Sequence, residues 1–460
     1  MAPHRGSART DGTAMTVDLE TLRAFVRQCD PAVPLQGTDP RYVDLSDVRG
    51  EGEVSCVELL ERNVKLLDSS CQLFTGYPGT GKTTELRRLQ KRLDDITDLP
   101  THVVYIAFEE YIDIYSPISI ADVLRVLAYE LERAATAAEG KDPDKDNRYV
   151  ERLKDFFKNA DLDLKKLEFG TSGSGANLML EIRSSPSFRQ KVEAALQGRF
   201  QRFASDAHAA MEDAVSRLQK ARGAHAQRVV VIADGLEKLN PLRDEDREKM
   251  EASVEAVFLT HAGWLRLPCH GVYTFPLWLR YRRADLGANY HGEPMVLPMV
   301  KVTKPDGSPW EPGLAKLRTL ISARLDETAV FGPTPDETLR PLLQASGGYL
   351  RDLLRMVRSV LTTRKTLPMD AEGAERIIRR LAEDYSRTVL GTDLDALVSI
   401  ATDHRLPKDD PAQLAAFGRL IERYLVLAYR NGEEWYDVHP MTRRDPMLAA
   451  RLANRTTPSA

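Results

Sequence analysis

Cysteine is scarce in this chain, and long apolar runs are absent. The four cysteines among 460 residues, Cys29, Cys56, Cys71 and Cys269, show no C-x-x-C spacing. This scarcity argues against a disulfide framework or a zinc site and favours a reducing cytosol. No apolar stretch approaches the length of a membrane span, and no apolar segment follows the basic N-terminal residues as in a secretory signal. We therefore expect a cytoplasmic protein without a membrane partner.

A strong charge of either sign is also lacking. The formal net charge is −4, from 64 basic and 68 acidic side chains, so contact with nucleic acid would require a local basic patch. Hydrophobic residues at 42% and charged residues at 29% are typical of a soluble globular protein. A chain of this length is expected to divide into about two to four domains.

A complete phosphate-binding loop is present at residues 76–83, which read GYPGTGKT and match G-x-x-x-x-G-K-[ST]. A strand-like run precedes the loop and a helical pattern follows it, which distinguishes it from a glycine-rich turn that only joins a strand to a helix. Glycine lets backbone N–H groups approach phosphate oxygens, and the helix N-terminus favours negative charge. The sequence therefore predicts nucleoside triphosphate binding by Gly76, Gly79, Thr80, Gly81, Lys82, Thr83 and Thr84.

The predicted ligands are ATP and Mg²⁺. Lys82 can reach the β- and γ-phosphates, and the Thr83 hydroxyl can hold the metal ion. Asp234 ends an aliphatic strand, and a carboxylate at the C-terminal tip of a parallel strand faces the ligand crevice, where it can hold Mg²⁺ through water. The alternative for Asp234 is that it caps the following turn.

Two further residues are candidates for the hydrolytic step. Glu237 lies three residues after Asp234 and is placed to orient and activate the attacking water as a general base. Its alternative role is a surface salt bridge. Thr274, on the next predicted strand, could hydrogen-bond the γ-phosphate or the water, or could serve only as a β-former.

Buried-strand patterns alternate with helices in the first two thirds of the chain, at residues 103–108, 228–234, 270–275 and 295–302. This alternation predicts an α/β fold with a parallel sheet covered on both faces. Residues 167–182 surround a Gly/Ser tract and predict a small inserted hairpin, followed by one long helix over 187–222. From residue 312 only helices are expected, until a hairpin over 425–438 with Asn431-Gly432 at its turn.

Helices that end in a β-hairpin are typical of a winged helix. We expect four regions: an N-terminal tail and short helix over 1–35, a P-loop NTPase core over 36–303 with an insertion near 140–222, an all-helical lid over 312–385, and a winged-helix-like domain over 386–460.

Several arginines are candidates for contact with the γ-phosphate. Arg351 lies in the first turn of a predicted lid helix, where the helix dipole disfavours a cation unless an anion is bound nearby; a pair with a surface acid is the alternative. Arg280, Arg282 and Arg283 could reach the γ-phosphate of a neighbouring subunit, or could form a solvated basic turn.

Together these features resemble AAA+ ATPases and their STAND relatives, over about residues 40–445. The resemblance implies that Lys82 and Thr83 bind phosphate and Mg²⁺, that Asp234 and Glu237 are the Walker B pair, that Thr274 is sensor 1 and that Arg351 is sensor 2. In P-loop ATPases of this layout, the segment before the first strand often borders the adenine. Tyr42 and Val43 are therefore candidates for base contact, with plain packing as the alternative.

The sequence departs from the family pattern in two places. Gly235 stands where many AAA+ proteins carry a second acid, and no arginine finger is unambiguous. Slow turnover is therefore expected. His439, near the end of the predicted wing, lacks an accompanying nucleophile or metal-ligand pattern and is interpreted as a capping or packing residue.

The function that these residues favour is an ATP-binding and ATP-hydrolysing switch. Its nucleotide state would set the position of the lid and the winged helix and so control contact with a protein partner or a homo-oligomer, in a role that would suit bacterial regulation or defence. One alternative is a DNA-associated ATPase similar to initiators and loaders, although residues 411–423 carry only two arginines. The other is a non-hydrolysing scaffold, which requires that Glu237 point away from the nucleotide.

Overall fold

The centre of the molecule is a five-stranded parallel sheet. The computed structural model describes residues 17–456 apart from 51, 53, 159–174, 222–227, 365 and 407–410. Valine and isoleucine dominate the strand Arg228–Asp234. All three central strands are buried on both faces, as parallel strands require. The predicted α/β class is confirmed. The strands are β1 Cys71–Gly76, β2 Thr101–Ala107, β3 Arg228–Asp234, β4 His270–Thr274 and β5 Met295–Leu297. Their order across the sheet is β2-β3-β4-β1-β5.

The last strand is shorter than the predicted span 295–302. Pro298 follows β5 immediately and has no N–H to donate, so the ladder to β1 ends at Leu297. Beyond it, the amides of Met299 and Lys301 donate to the carbonyls of Ala428 and Val48 instead. The segment after the sheet therefore bonds to the C-terminal region rather than to the core sheet.

Helices cover both faces of the sheet. One face carries α3 (Cys56–Leu66) and α4 (Lys82–Asp94), with their apolar side chains against β1, β3 and β4. The other face carries α5 (Ile120–Ala138) and α9 (Phe200–Lys220). Ser55 and Ser119 begin α3 and α5 as capping boxes. The helices up to this point are α1 Leu19–Gln28, α2 Ser46–Arg49, α3 Cys56–Leu66, α4 Lys82–Asp94, α5 Ile120–Ala138, α6 Arg148–Lys158, α7 Gly175–Ser184, α8 Pro186–Leu196, α9 Phe200–Lys220, α10 Arg247–Glu255 and α11 Leu277–Arg282.

The inserted region differs from the sequence prediction. Residues 175–184 form helix α7 rather than a hairpin strand, because the buried residues Leu178, Met179 and Ile182 recur at helical spacing on one face. Residues 167–174 of the predicted hairpin lie outside the described residues. The predicted single helix over 187–222 is two helices, α8 and α9, separated at Gly198, whose φ of 68° cannot continue a right-handed helix.

The C-terminal third is helical until a two-stranded antiparallel hairpin, as the sequence predicts. Its elements are α12 Glu311–Ser322, α13 Glu327–Phe331, α14 Pro335–Ala345, α15 Leu350–Thr363, α16 Ala371–Ser386, α17 Leu394–Asp403, α18 Pro411–Glu422, β6 Val426–Asn431, β7 Glu433–Val438 and α19 Pro446–Thr456. One apolar cluster joins this third to core residues that include Tyr77, Leu277 and Val300. Within the described residues, no helix is long and apolar enough to cross a membrane.

Candidate nucleotide-binding site

The residues that the sequence predicts to hold phosphate form the turn between β1 and α4. Gly79 and Gly81 adopt left-handed φ angles of 85° and 97°, which only glycine adopts without strain. Gly81 is the N-cap residue of α4 and has no side chain that could accept a hydrogen bond from the first amides of the helix. Such amides, at the positive end of the helix dipole, form an anion site.

Arg351 lies against this loop. A Cβ on Gly79 would lie 2.4 Å from Arg351 Nε and 2.7 Å from Arg351 Cβ, so the arginine at the start of α15 approaches the loop backbone as closely as a glycine permits. The charge of Arg351 also lowers the pKa of Lys82. The structure thus brings the predicted lid arginine close to Lys82, which the sequence predicts to bind phosphate.

Lys82 is almost completely buried, at 4% exposure. Its ammonium group donates to the carbonyls of Gly76 and Tyr77 at 3.0 and 3.2 Å, and lies 3.6 Å from Glu237 Oε1. Burial lowers the pKa of Lys82, while Glu237 and Asp234 counteract that effect. A buried cation beside a second cation favours an anionic ligand.

Asp234 ends β3 at 2% exposure. Its Oδ2 accepts a 2.6 Å hydrogen bond from the Tyr105 hydroxyl, and the Thr83 hydroxyl lies close enough to stabilise the carboxylate. Burial and the charge of Glu237 raise the pKa of Asp234. Oδ1 is buried without a hydrogen-bond partner among the described residues. A carboxylate oxygen without a partner, beside a threonine hydroxyl, suits a hard divalent cation such as Mg²⁺.

Glu237 points into the site rather than away from it. Burial raises its pKa, but the charge of Lys82 and a hydrogen bond with Thr274 outweigh burial, so the pKa lies below the ordinary value and the group is ionised. The Thr274 hydroxyl accepts from the amides of Gly235 and Leu236 at 3.0 and 3.2 Å. Thr274 therefore holds the turn that carries Glu237.

The structure gives a physical reason for the glycine at position 235. Gly235 has a φ of 100°, and a Cβ there would lie 2.0 Å from Glu109 Oε2. The carboxylate of Glu109, which also pairs with Lys238, occupies the space beside Gly235. No larger residue fits at position 235 without displacement of that carboxylate.

Tyr42 and Val43 line the cleft beside the loop, together with Leu320 and Leu354. The Tyr42 hydroxyl is engaged by Arg88, which donates to it at 2.6 Å. Tyr42 is therefore anchored to α4 at the edge of the cleft. The cleft has a volume of about 1370 Å³, more than the roughly 300–1,000 Å³ of an ordinary small-molecule pocket.

Of the three further candidate arginines, two form ion pairs within the chain. Arg282 pairs with Glu251 and Glu255, and Arg283 pairs with Glu255 and Asp285, while Arg280 has a buried Nε without a partner among the described residues.

His439 is fully buried and accepts the Met441 amide at Nδ1. It packs against Tyr385 and does not line the cleft.

Two residues at the site carried no sequence signal. Arg49 is buried and donates to the carbonyls of Thr80 and Pro298 at 2.6 and 3.1 Å, so it braces the phosphate loop from α2. Tyr105 sits within an apolar run that reads only as a buried strand. Neither residue belongs to a short motif, and pattern alone could not have found them.

Comparison with known proteins gives only distant likenesses. No family model and no curated protein matches the chain. Among solved structures, Drosophila ORC bound to DNA is similar at 12% identity over 95% of this chain and 94% of that chain, with a TM-score of 0.37. A Walker-type ATPase of Pyrococcus abyssi is similar at 14% identity over 89% and 100%, with a TM-score of 0.34. Cdc6p from Pyrobaculum aerophilum is similar at 13% identity over 87% and 92%, with a TM-score of 0.29. Likenesses at these values assign neither a family nor a function.

Proposed function

We propose that this protein is an ATP-binding molecular switch that hydrolyses ATP slowly. The observation that carries the proposal is the convergence of Lys82, Arg351, Asp234 and Glu237 on the amides at the start of α4. Two cations beside uncapped helix amides suit the triphosphate. Thr83 and Asp234 would hold Mg²⁺, which would neutralise negative charge on the phosphates.

Glu237 would orient and deprotonate the attacking water. It is ionised, as a general base must be, and Thr274 fixes the turn that carries it. In this structure its carboxylate pairs with Lys82, and a bound phosphate would compete for that lysine. We expect slow turnover, because two of the three candidate finger arginines, Arg282 and Arg283, are held in ion pairs within the chain.

The switch would act through contacts that tie the phosphate loop to the C-terminal third. The Tyr349 hydroxyl donates to the Pro78 carbonyl at 2.5 Å, and the Tyr77 hydroxyl donates to the Val426 carbonyl on β6 at 2.9 Å. Arg351 lies on Gly79. Because the loop itself carries bonds to the helical region and to the hairpin, a ligand in the loop can bias their positions.

A docked α18 supports the view that this is the closed state of the switch. It packs on α11, and Glu422 at its end pairs with Arg247 of the core at 3.2 Å. The end of α18 and the residues after it thus line one side of the cleft. Its release would expose a surface for a protein partner or for a second copy of this chain.

Nucleotide binding is tested with Lys82→Ala. Loss of the buried ammonium should abolish or strongly weaken ATP binding measured by calorimetry. Lys91→Ala is the matched control, since Lys91 lies on the same helix and pairs with Asp95 at the surface. Equal affinity in the two variants would refute the assignment of the loop.

Hydrolysis is tested with Glu237→Gln, which keeps the shape and removes the base. We expect the rate to fall by about 10²–10⁴ while binding persists. Wild-type turnover in this variant would contradict the role of Glu237, and a wild type that binds ATP without hydrolysis would support the scaffold alternative.

The second candidate is a DNA-associated ATPase. In its favour, α18 leads directly into the β6–β7 hairpin and carries Arg419 near its end, followed by Arg423. However, both arginines line the cleft, and Arg423 pairs with Asp393. This candidate therefore requires α18 to leave α11. Duplex binding that appears only with ATP and weakens steeply with salt would support it.

A further inference from the structure

Tyr105 of β2 reaches the metal-facing carboxylate from the neighbouring strand. In the register of the parallel pair, Ala107 lies opposite Asp234 and Tyr105 lies opposite Ile232. Residues two apart share a face of the sheet, so Tyr105 and Asp234 lie on the same side. The Tyr105 hydroxyl donates to Asp234 Oδ2 at 2.6 Å, a distance typical of a strong charge-assisted bond.

A cation lies over the face of the Tyr105 ring. The Arg87 guanidinium lies 3.4 Å from the centre of the Tyr105 ring. Arg87 is one helical turn after Thr83 on α4, so the residue that would hold Mg²⁺ and the residue that holds Tyr105 share one rigid helix. A cation over the ring fixes the phenol in place and makes it a better donor.

The hydrogen bond also distinguishes the two oxygens of Asp234. Oδ2 is engaged by Tyr105, whereas Oδ1 is buried without a partner among the described residues. A carboxylate held at one oxygen cannot rotate freely, so the other oxygen keeps one direction. Groups that orient a metal ligand in this way set its affinity for the ion.

We propose that Tyr105 is a positioning residue that orients Asp234 and thereby sets the affinity of the nucleotide site for Mg²⁺. The inference rests on the proposed nucleotide-binding function. It assigns Tyr105 a role beyond packing, because a phenylalanine would fill the same place on the strand. Only the hydroxyl, which donates to Asp234, distinguishes tyrosine from phenylalanine at position 105.

The decisive variant is Tyr105→Phe, studied by calorimetry with a non-hydrolysable ATP analogue. Binding in EDTA should match that of the wild type within about twofold. The Mg²⁺ concentration that gives half of the maximal gain in affinity should rise about tenfold, as for other groups that orient metal ligands. The matched control is Tyr111→Phe, which removes a hydroxyl bonded to Glu130 at 2.5 Å and does not line the cleft.

The outcomes distinguish a positioning role of Tyr105 from a packing role. The positioning role would be overturned if Tyr105→Phe had the Mg²⁺ dependence of the wild type. It would also be overturned if the variant lost as much affinity for the ATP analogue in EDTA as it loses with Mg²⁺. Absence of binding in the wild type would instead overturn the proposed function. Should Tyr105→Phe not fold, Arg87→Met tests the same network, since it removes the cation and keeps the stem. A smaller shift of Mg²⁺ dependence in the same direction is then expected, and its absence counts against the inference.

Discussion

His439 shows how a single buried residue can make stability depend on pH. It is fully buried, its Nδ1 accepts the Met441 amide at 3.1 Å, and its ring stacks on Tyr385 at 4.5 Å. Burial lowers the pKa of His439 to about 4, although Asp352 counteracts the shift. In the unfolded chain, the pKa of histidine is about 6.5.

Between these two values the unfolded chain binds a proton that the folded chain does not. Stability from His439 is therefore complete above about pH 6.5 and is lost as the pH falls toward 4. We expect His439→Asn, which keeps an acceptor for the Met441 amide, to lose less stability than the wild type between pH 7 and pH 5. Urea unfolding at the two pH values measures this. Burial also lowers the pKa of His270 to about 4, but both proteins retain that residue. Equal pH dependence would show that His439 does not titrate in this way.

At the scale of elements, the β6–β7 hairpin is bonded to the phosphate loop through Tyr77. Tyr77→Phe removes the donor to Val426 and should cost about 1–3 kcal/mol if that carbonyl stays buried. We expect hydrogen exchange in the hairpin to quicken and to lose its response to nucleotide. Tyr281→Phe is the control, since the Tyr281 hydroxyl donates to Glu434 of the same hairpin from α11 rather than from the loop. A nucleotide response that persists in Tyr77→Phe would place the coupling elsewhere.

At the scale of the whole molecule, Arg351 would connect the bound nucleotide to the position of the C-terminal third relative to the parallel-sheet core. Arg351→Ala should abolish the difference in shape between the ADP state and the state with a non-hydrolysable ATP analogue, because only contacts that differ between states shift an equilibrium. Small-angle scattering measures the shape in each state. Arg376→Ala is the control, since Arg376 forms surface ion pairs on α16. A full change of shape in Arg351→Ala would leave Arg351 without a switching role.

Local sequence pattern was sufficient to predict most helices and strands. It was insufficient where contacts between distant residues decide the structure. The phosphate loop, the aliphatic strands and the hairpin turn at Gly432 are properties of a few adjacent residues, and spacing alone predicts them. The hairpin predicted over 167–182 was wrong from residue 175 onward, because apolar residues at helical spacing outweigh β-propensity there. The end of β5 follows from Pro298, which has no N–H to continue the ladder to β1.

The sequence by itself determined that Lys82 and Thr83 stand at the start of a helix after a strand, because backbone chemistry fixes that arrangement within eight residues. Only the tertiary structure decided which distant groups meet them. The strand order places Tyr105 beside Asp234, and chain folding brings Val426 to Tyr77 across 349 residues and Tyr349 to Pro78 across 271. Such meetings depend on how helices and strands pack as a whole. No local pattern encodes them, because the free energy that selects them comes from burial shared over the entire core.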